Sequence, residues 1–347
     1  MEELVLSKKM KIIGSAYFLP KYQLSNNKLN KEFPEWSVDK ISEKTGINNR
    51  FIAAKDETAS DLAYSATEKL FDSYDFDRNK IDFIIFCTQS PDYFLPTTAC
   101  ILQEKLKLSI NCGAIDINQG CSGYVYSLAL AKSLLSSGVA SNILLLTGDT
   151  YSKYIYYKDK KNRTIFGDAA TASIVALDEL DCGLQYNCDI GDFVLGTDGS
   201  GSSNLIVKNG GMKNRRVDEN VMEDAYNNIS GDSYLFMNGA EIFNFTLKKI
   251  PVLINDVLDK HNLRMEDVDL FIFHQANKFM LDHLRKKLKI SEEKFYINLE
   301  NSGNTVSSTI PIALHEALVE EKIKKGNRVL VAGFGVGYSW GATILTF

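Results

Sequence analysis

The chain has 347 residues, enough for one large domain or two of ordinary size, and its 45% hydrophobic content suffices for a substantial core. A formal net charge of only −5 on a mixed-charge chain excludes a general nucleic-acid binder. The six cysteines form no CxxC pair, which argues against a disulfide framework and against a zinc or other metal site, and no segment approaches the ~20 apolar residues of a membrane span. The opening MEELVLSKKMKIIG lacks the apolar stretch of a signal peptide, so a cytoplasmic protein without a membrane span is expected.

Apolar strand-like runs alternate with helical patterns, which predicts an α/β protein. Residues 11–18 predict a strand and 58–71 a helix, with Thr58 and Asp61 at its start. Residues 82–89 predict a buried strand, 97–107 a short helix, and 112–118 the strand that leads to Cys121. An amphipathic helix follows at once. Further strands are predicted at 142–149 and 163–177. Residues 190–207 predict two strands around GTDGSGSSN, followed by a polar loop to Arg216. A long helix is expected over 234–261 with Pro251 inside it, then a strand at 268–275, a helix at 276–288 and a short strand at 294–300. A helix over 305–322, entered across Pro311, precedes two closing strands at 327–335 and 338–347. The element order of the first half recurs in the second. That predicts a duplicated α/β unit divided near residue 180, with one half over 1–180 and the other over 181–347.

Three chemically capable side chains follow predicted strands. Cys121 lies at a helix N-terminus, where unpaired N–H groups and the dipole favour an anion and are expected to lower a thiol pKa. His274 ends FIFHQ, and Asn304 sits in NSGNT beside Gly303. Sites in open α/β sheets collect at the carboxyl ends of strands, so the three can converge. Alone, each has a plainer reading: a buried core cysteine, a hydrogen-bonded structural histidine, a helix-capping asparagine. The remaining histidines, His261, His283 and His315, fall on helical stretches and read as surface or satisfied residues. The segment GFGVG at 333–337 offers backbone N–H groups to an oxyanion, or is merely a tight connection.

Taken together, these motifs resemble beta-ketoacyl-acyl-carrier-protein synthase III, a family of the thiolase-like superfamily. The resemblance rests on GCSGYVYSL around Cys121, FHQAN at 273–277, NSGNTVSSTIPIAL around Asn304 and the terminal GFGVGYSWGATILTF. Weaker similarity lies in KIIGSAYFLP, EKTGI, FIAAKDETASDLA, FGDAATASIV and FMNGAEIFNF. It implies a thiolase-like fold of two duplicated α/β halves layered α-β-α-β-α, the first half bearing the nucleophilic cysteine and the second the histidine and asparagine. It also implies a condensing acyltransferase without a cofactor. Acyl-CoA would acylate Cys121, and malonyl-acyl carrier protein would then lose CO2 and condense to 3-oxoacyl-acyl carrier protein. His274 and Asn304 would donate to the thioester oxygen, and the backbone N–H groups of Cys121 and Val336 would form the oxyanion hole. A homodimer is implied, with SPDYFLPTTA placing Phe94 and Leu95 at the acyl pocket. The acidic carrier protein would dock on the helix after HQAN, at Lys278, Arg285, Lys286 and Lys289, with Lys287 nearby and Arg215 and Arg216 as a second patch. An ordinary solvated face accounts for the same lysines.

The chain also departs from the family pattern. Val336 replaces a glycine, Leu95 replaces a phenylalanine, and Lys44 stands where an arginine is usual. Trp36 is further from TGI than usual, and Arg163 is too close to FGD to inherit a phosphate-contacting role. These departures suggest a specialised paralogue, with acyl transfer to an amine or hydroxyl in a glycan, lipid or secondary-metabolite pathway as the alternative chemistry.

Overall fold

The computed structural model describes residues 9–177, 186–215, 220–223 and 229–347. The expected division near residue 180, Cys182 and Arg216 lie outside the described residues. The main sheet has nine strands: β1 (Met10–Phe18), β2 (Phe83–Cys87), β3 (Gly113–Ile117), β4 (Asn142–Asp149), β5 (Ala169–Leu177), β6 (Cys188–Thr197), β7 (Leu270–Phe273), β8 (Arg328–Gly335) and β9 (Ser339–Thr346). Their order is β7-β8-β9-β6-β1-β5-β4-β2-β3. Strands from before residue 178 thus occupy one side of the sheet and later strands the other. The β6–β1 seam pairs only at Lys11–Asp189 and Ile12–Cys188.

Period-two alternation along the strands divides the apolar side chains between two faces. Ile84, Leu144 and Ile174 pack outward against α1 (Ala59–Tyr74) and α2 (Thr98–Lys105). Their neighbours Ile85, Leu145 and Val175 pack inward against α3 (Gly123–Ser136). In the other half, Phe271 and Leu330 face α4 (Gly239–Lys260) and α5 (Lys278–Leu288), while Ile272 and Val331 face inward to α6 (Thr309–Val319). Helices α3 and α6 therefore share the middle of five layers, α-β-α-β-α. Strands β2, β4, β5, β7 and β8 read as near-continuous apolar runs because both of their faces are covered.

Local chemistry sets the element ends. Thr58 and Asp61 form a reciprocal capping box at the start of α1. Pro311 is the third residue of α6, within the first turn, where its missing N–H costs no internal bond. Helix α4 begins later than expected, at Gly239 behind the cap of Asn238, and runs through Pro251 to Lys260. Two expected strands are shorter or absent. Residues 163–168 do not join the sheet; the N–H of Gly167 goes to the carbonyl of Asn304, and Phe166 makes an isolated bridge there. In 294–300 only Phe295 bridges to Phe271, because the N–H of Asn298 is taken by the Gln275 side chain.

Candidate active site

Cys121 stands two residues before α3, and β8 crosses directly over it. A Cβ on Gly335 would lie 2.8 Å from Cys121 Sγ, and one on Gly333 2.8 Å from the Cys121 carbonyl oxygen. Glycine at these positions lets a strand backbone pass against the nucleophile. The N–H groups of Val336 and of Cys121 itself point at the sulfur. Behind this turn, the hydroxyls of Ser122 and Ser339 are 2.7 Å apart, and Ser339 donates to the Val336 carbonyl at 2.8 Å, so the Cys121 turn and the segment after β8 are tied together.

The same strand leads to the histidine. Phe334, next to Gly335, sets its ring edge-on to His274 with centroids 5.9 Å apart, and the His274 N–H bonds the Ala332 carbonyl. His274 Nδ1 lies 2.8 Å from Thr309 Oγ1 at the start of α6. Val306 connects this helix start to the asparagine, since its N–H donates to Asn304 Oδ1 at 2.9 Å. With the oxygen occupied, the amide NH2 of Asn304 is left as the donor end. The backbone of Asn304 is fixed on both sides, its N–H to the Ile165 carbonyl and its carbonyl to the Gly167 N–H. That explains the non-strand conformation of 163–168. A chain of direct contacts thus joins Cys121, Gly335, Phe334, His274, Thr309, Val306 and Asn304.

Burial sets the electrostatics. Cys121, His274 and Asn304 are 6%, 2% and 5% exposed. Burial pushes the Cys121 thiol up to about 12, against the pull of the two N–H groups. The lowered thiol pKa expected from the helix N-terminus is therefore corrected: removal of the sulfur from water outweighs the helix end, and the resting residue is a thiol. Burial also drives His274 down to about 3, so its ring is neutral at physiological pH.

Several residues here were not anticipated. Asp149, at the end of β4, accepts from the Gln89 N–H at 2.8 Å and from the Ser307 hydroxyl at 2.6 Å, and its burial raises it to about 7. It thereby joins the loop after β2 to the turn that carries Asn304. Tyr151 and Tyr154 donate to the side chain and backbone carbonyl of Gln89. Ser307 falls within NSGNTVSSTIPIAL without being singled out there, and the one signal for Gln89, Asp149, Tyr151 and Tyr154 was their position at or just past apolar strands.

Two cavities lie near these residues. One of about 780 Å3 extends from Val336 along Tyr151, Phe94, Leu205 and Asn209. Phe94 is in its wall. Leu95 is 80% exposed and is not among the lining residues of its own chain. The other, about 300 Å3, is lined by Trp36, Lys40, Lys44, Lys161, Asn277 and Phe279. The Lys40 and Lys44 ammonium groups lie 6.0 and 5.8 Å from the Trp36 ring centre. Arg163 is committed elsewhere, to Glu32 and the Tyr157 carbonyl. On α5, Lys278 pairs with Asp282 at 2.7 Å and Arg285 with Glu292 at 2.6 Å, whereas exposed Lys286, Lys287 and Lys289 have no acidic partner among the described residues. Arg215 is exposed. The other histidines are satisfied: His261 Nε2 accepts from the Asp192 N–H, and His283 and His315 bond backbone carbonyls. Among the described residues no cluster could hold a metal ion, and no helix is long and apolar enough to cross a membrane.

A buried thiol under backbone donors, connected through Phe334 to a neutral imidazole and on to an oriented carboxamide, is equipped for cysteine-based acyl transfer on a five-layered thiolase-like scaffold. Comparison with known proteins agrees. Residues 115–199 match the family model for 3-oxoacyl-[acyl-carrier-protein] synthase III, and residues 258–347 match its C-terminal model. A beta-ketoacyl-[acyl-carrier-protein] synthase III of Clostridium perfringens is 39% identical, covering 97% of this chain and 99% of its own length. A solved 3-oxoacyl-(acyl-carrier-protein) synthase III superposes with TM-score 0.93 at 46% identity, covering 98% of this chain and all of its own. The Thermus thermophilus synthase III superposes with TM-score 0.85 at 30% identity, covering 97% and 99% of the two chains. The chain belongs to the beta-ketoacyl-[acyl-carrier-protein] synthase III family and is an acyl-transferring condensing enzyme. This supports condensation over the alternative of transfer to an amine or hydroxyl.

Proposed function

We propose that the enzyme loads an acyl group from acyl-CoA onto Cys121 and condenses it with malonyl-acyl carrier protein. In loading, the sulfur attacks the thioester carbonyl, CoA leaves, and the proton lost by Cys121 is returned to the departing CoA sulfur. The exchange is thiol for thiol, so the acyl group stays reactive. The N–H groups of Cys121 and Val336 hold the tetrahedral oxyanion; a backbone donor at 336 does not depend on glycine. Malonyl thioester then loses CO2, and the electron pair of the broken C–C bond enters an enolate. His274 and Asn304 donate to its oxygen. The enolate carbon attacks the acyl carbonyl, the Cys121 thiolate leaves and is reprotonated, and 3-oxoacyl carrier protein departs. No metal or prosthetic group is called for, because hydrogen bonds hold every charge that develops.

The contact chain from Cys121 through Phe334 and His274 to Asn304 is the observation that carries this reading. The cavity at Trp36, Lys40 and Lys44 is the candidate CoA and pantetheine entrance, and the larger cavity the acyl pocket. An exposed Leu95 suits contribution to the pocket of a second subunit. The unpaired outer edge of β3, with Ile115 40% exposed, suits a homodimer. The carrier protein is assigned to Lys286 and Lys289 together with Lys278 and Arg285, and the enzyme to the cytoplasm. In the decisive test, Asn304→Ala retains normal Cys121 acylation by acyl-CoA, while decarboxylation of malonyl carrier protein slows by roughly 10²–10³-fold, the usual loss for one oxyanion donor. Normal condensation in this variant would refute the role of Asn304.

A further inference from the structure

A single side chain governs the inner nitrogen of His274. Thr309 Oγ1 lies 2.8 Å from His274 Nδ1 and 3.1 Å from the Val306 carbonyl oxygen. Both residues are buried, at 2% and 3% exposure, so bulk water does not compete. No protein hydrogen bond reaches Nε2 among the described residues. A neutral imidazole carries one proton, and a hydroxyl both donates and accepts. Two arrangements follow. If Thr309 donates to Val306, its oxygen accepts from Nδ1–H and Nε2 is a bare acceptor. If Thr309 donates to Nδ1, the ring proton sits on Nε2 and that nitrogen is a donor.

Only the second arrangement lets a neutral His274 hydrogen-bond an enolate oxygen. The 2.8 Å contact between Thr309 Oγ1 and Nδ1 is a hydrogen bond in either arrangement, and the donor that the enolate oxygen needs selects the second. The Val306 carbonyl also borders the ring and on its own would select Nδ1–H. We infer, resting on the function proposed above, that Thr309 is a positioning residue whose hydroxyl donates to Nδ1 and holds His274 in the Nε2–H tautomer during decarboxylation. The side chain touches no substrate; it acts through the imidazole. A positioned histidine held in the wrong tautomer loses orders of magnitude in rate.

The test compares Thr309→Val, which keeps the shape and removes the hydroxyl, with Thr309→Ser, which restores it. Two readouts are used: Cys121 acylation by acyl-CoA and CO2 release from malonyl carrier protein. Thr309→Val is expected to acylate normally but release CO2 about 10- to 100-fold more slowly, by analogy with the loss when a partner that orients a metal-bound histidine is removed. Thr309→Ser is expected to recover. The protein has only four histidines, so ¹⁵N spectra of histidine-labelled enzyme can follow the tautomer directly. The His274 signal, assigned with His274→Ala, should change from Nε2–H to Nδ1–H in Thr309→Val. An unchanged tautomer, unchanged CO2 release, or an equal loss of both half-reactions without rescue by serine would overturn the assignment. If His274→Ala itself releases CO2 normally, the underlying function of His274 has failed. If only Thr309→Val is normal, the assignment of Thr309 alone has failed.

Discussion

At the scale of single residues, the chemistry turns on how far burial moves each proton. Cys121 was legible as a nucleophile candidate because a glycine-flanked cysteine meets a helix start after a strand. Its protonation state was not, because a helix end shows in the sequence and depth under another strand does not. With the thiol at about 12, the thiolate fraction rises tenfold per pH unit across the neutral range. Alkylation of Cys121 by iodoacetamide should therefore accelerate continuously up to the highest pH at which the fold survives; a plateau near pH 7 or 8 would show an ion-paired thiolate instead. His274 has the opposite sign: a base driven down to about 3 stays neutral from pH 5 to 8. The single-turnover decarboxylation rate should show no histidine titration limb in that window. Thr309, Ser307, Asp149 and Gln89 went unnoticed because their partners are distant in sequence; Ser307 and Asp149 are 158 residues apart. Only the fold pairs them.

At the scale of elements, β8 is the piece that makes the site. It lays Gly333 and Gly335 against Cys121, sets Phe334 against the imidazole and brings the Val336 N–H, the proposed oxyanion donor, to the Cys121 sulfur. In Gly335→Ala the new methyl would fall 2.8 Å from both Cβ and Sγ of Cys121. Overpacking of this kind costs about 1–3 kcal/mol. Here the strain falls on the reacting atom, so acyl-adduct formation should be lost while thermal melting shifts only modestly. Normal adduct formation would show that the approach is not confining. The strands and helices were largely readable because apolar runs and caps report local structure. The misreadings at 163–168 and 294–300 share one cause: the hydrogen bonds of those segments go to Asn304 and to the Gln275 side chain rather than to a neighbouring strand. Both irregular stretches border the site.

At the scale of the whole molecule, five layers bring the cysteine of one half to the histidine and asparagine of the other across the shared middle helices α3 and α6. The order of elements suggested a duplicated α/β unit and the family resemblance implied its layering, whereas the narrow β6–β1 seam showed only in three dimensions. The carrier-protein docking proposed for α5 rests on charge. Lys278 and Arg285 have acidic partners, whereas Lys286, Lys287 and Lys289 have none among the described residues, and the proposed docking draws on these three first. Raising salt to about 1 M, where screening acts within about 3 Å, should raise the KM for malonyl carrier protein and spare acylation by acyl-CoA. A flat response would place docking elsewhere.

The most direct measurement of the central claim is a single turnover of isolated acyl-enzyme. The Cys121 adduct is prepared with acyl-CoA and freed of excess donor. Malonyl carrier protein is then added, and adduct, CO2 and carrier product are followed together by mass. The account predicts that the adduct disappears as CO2 appears, one for one, with a carrier-bound 3-oxoacyl product two carbons longer than the loaded acyl group. An adduct that persists while CO2 is released, or that discharges without CO2, would contradict it.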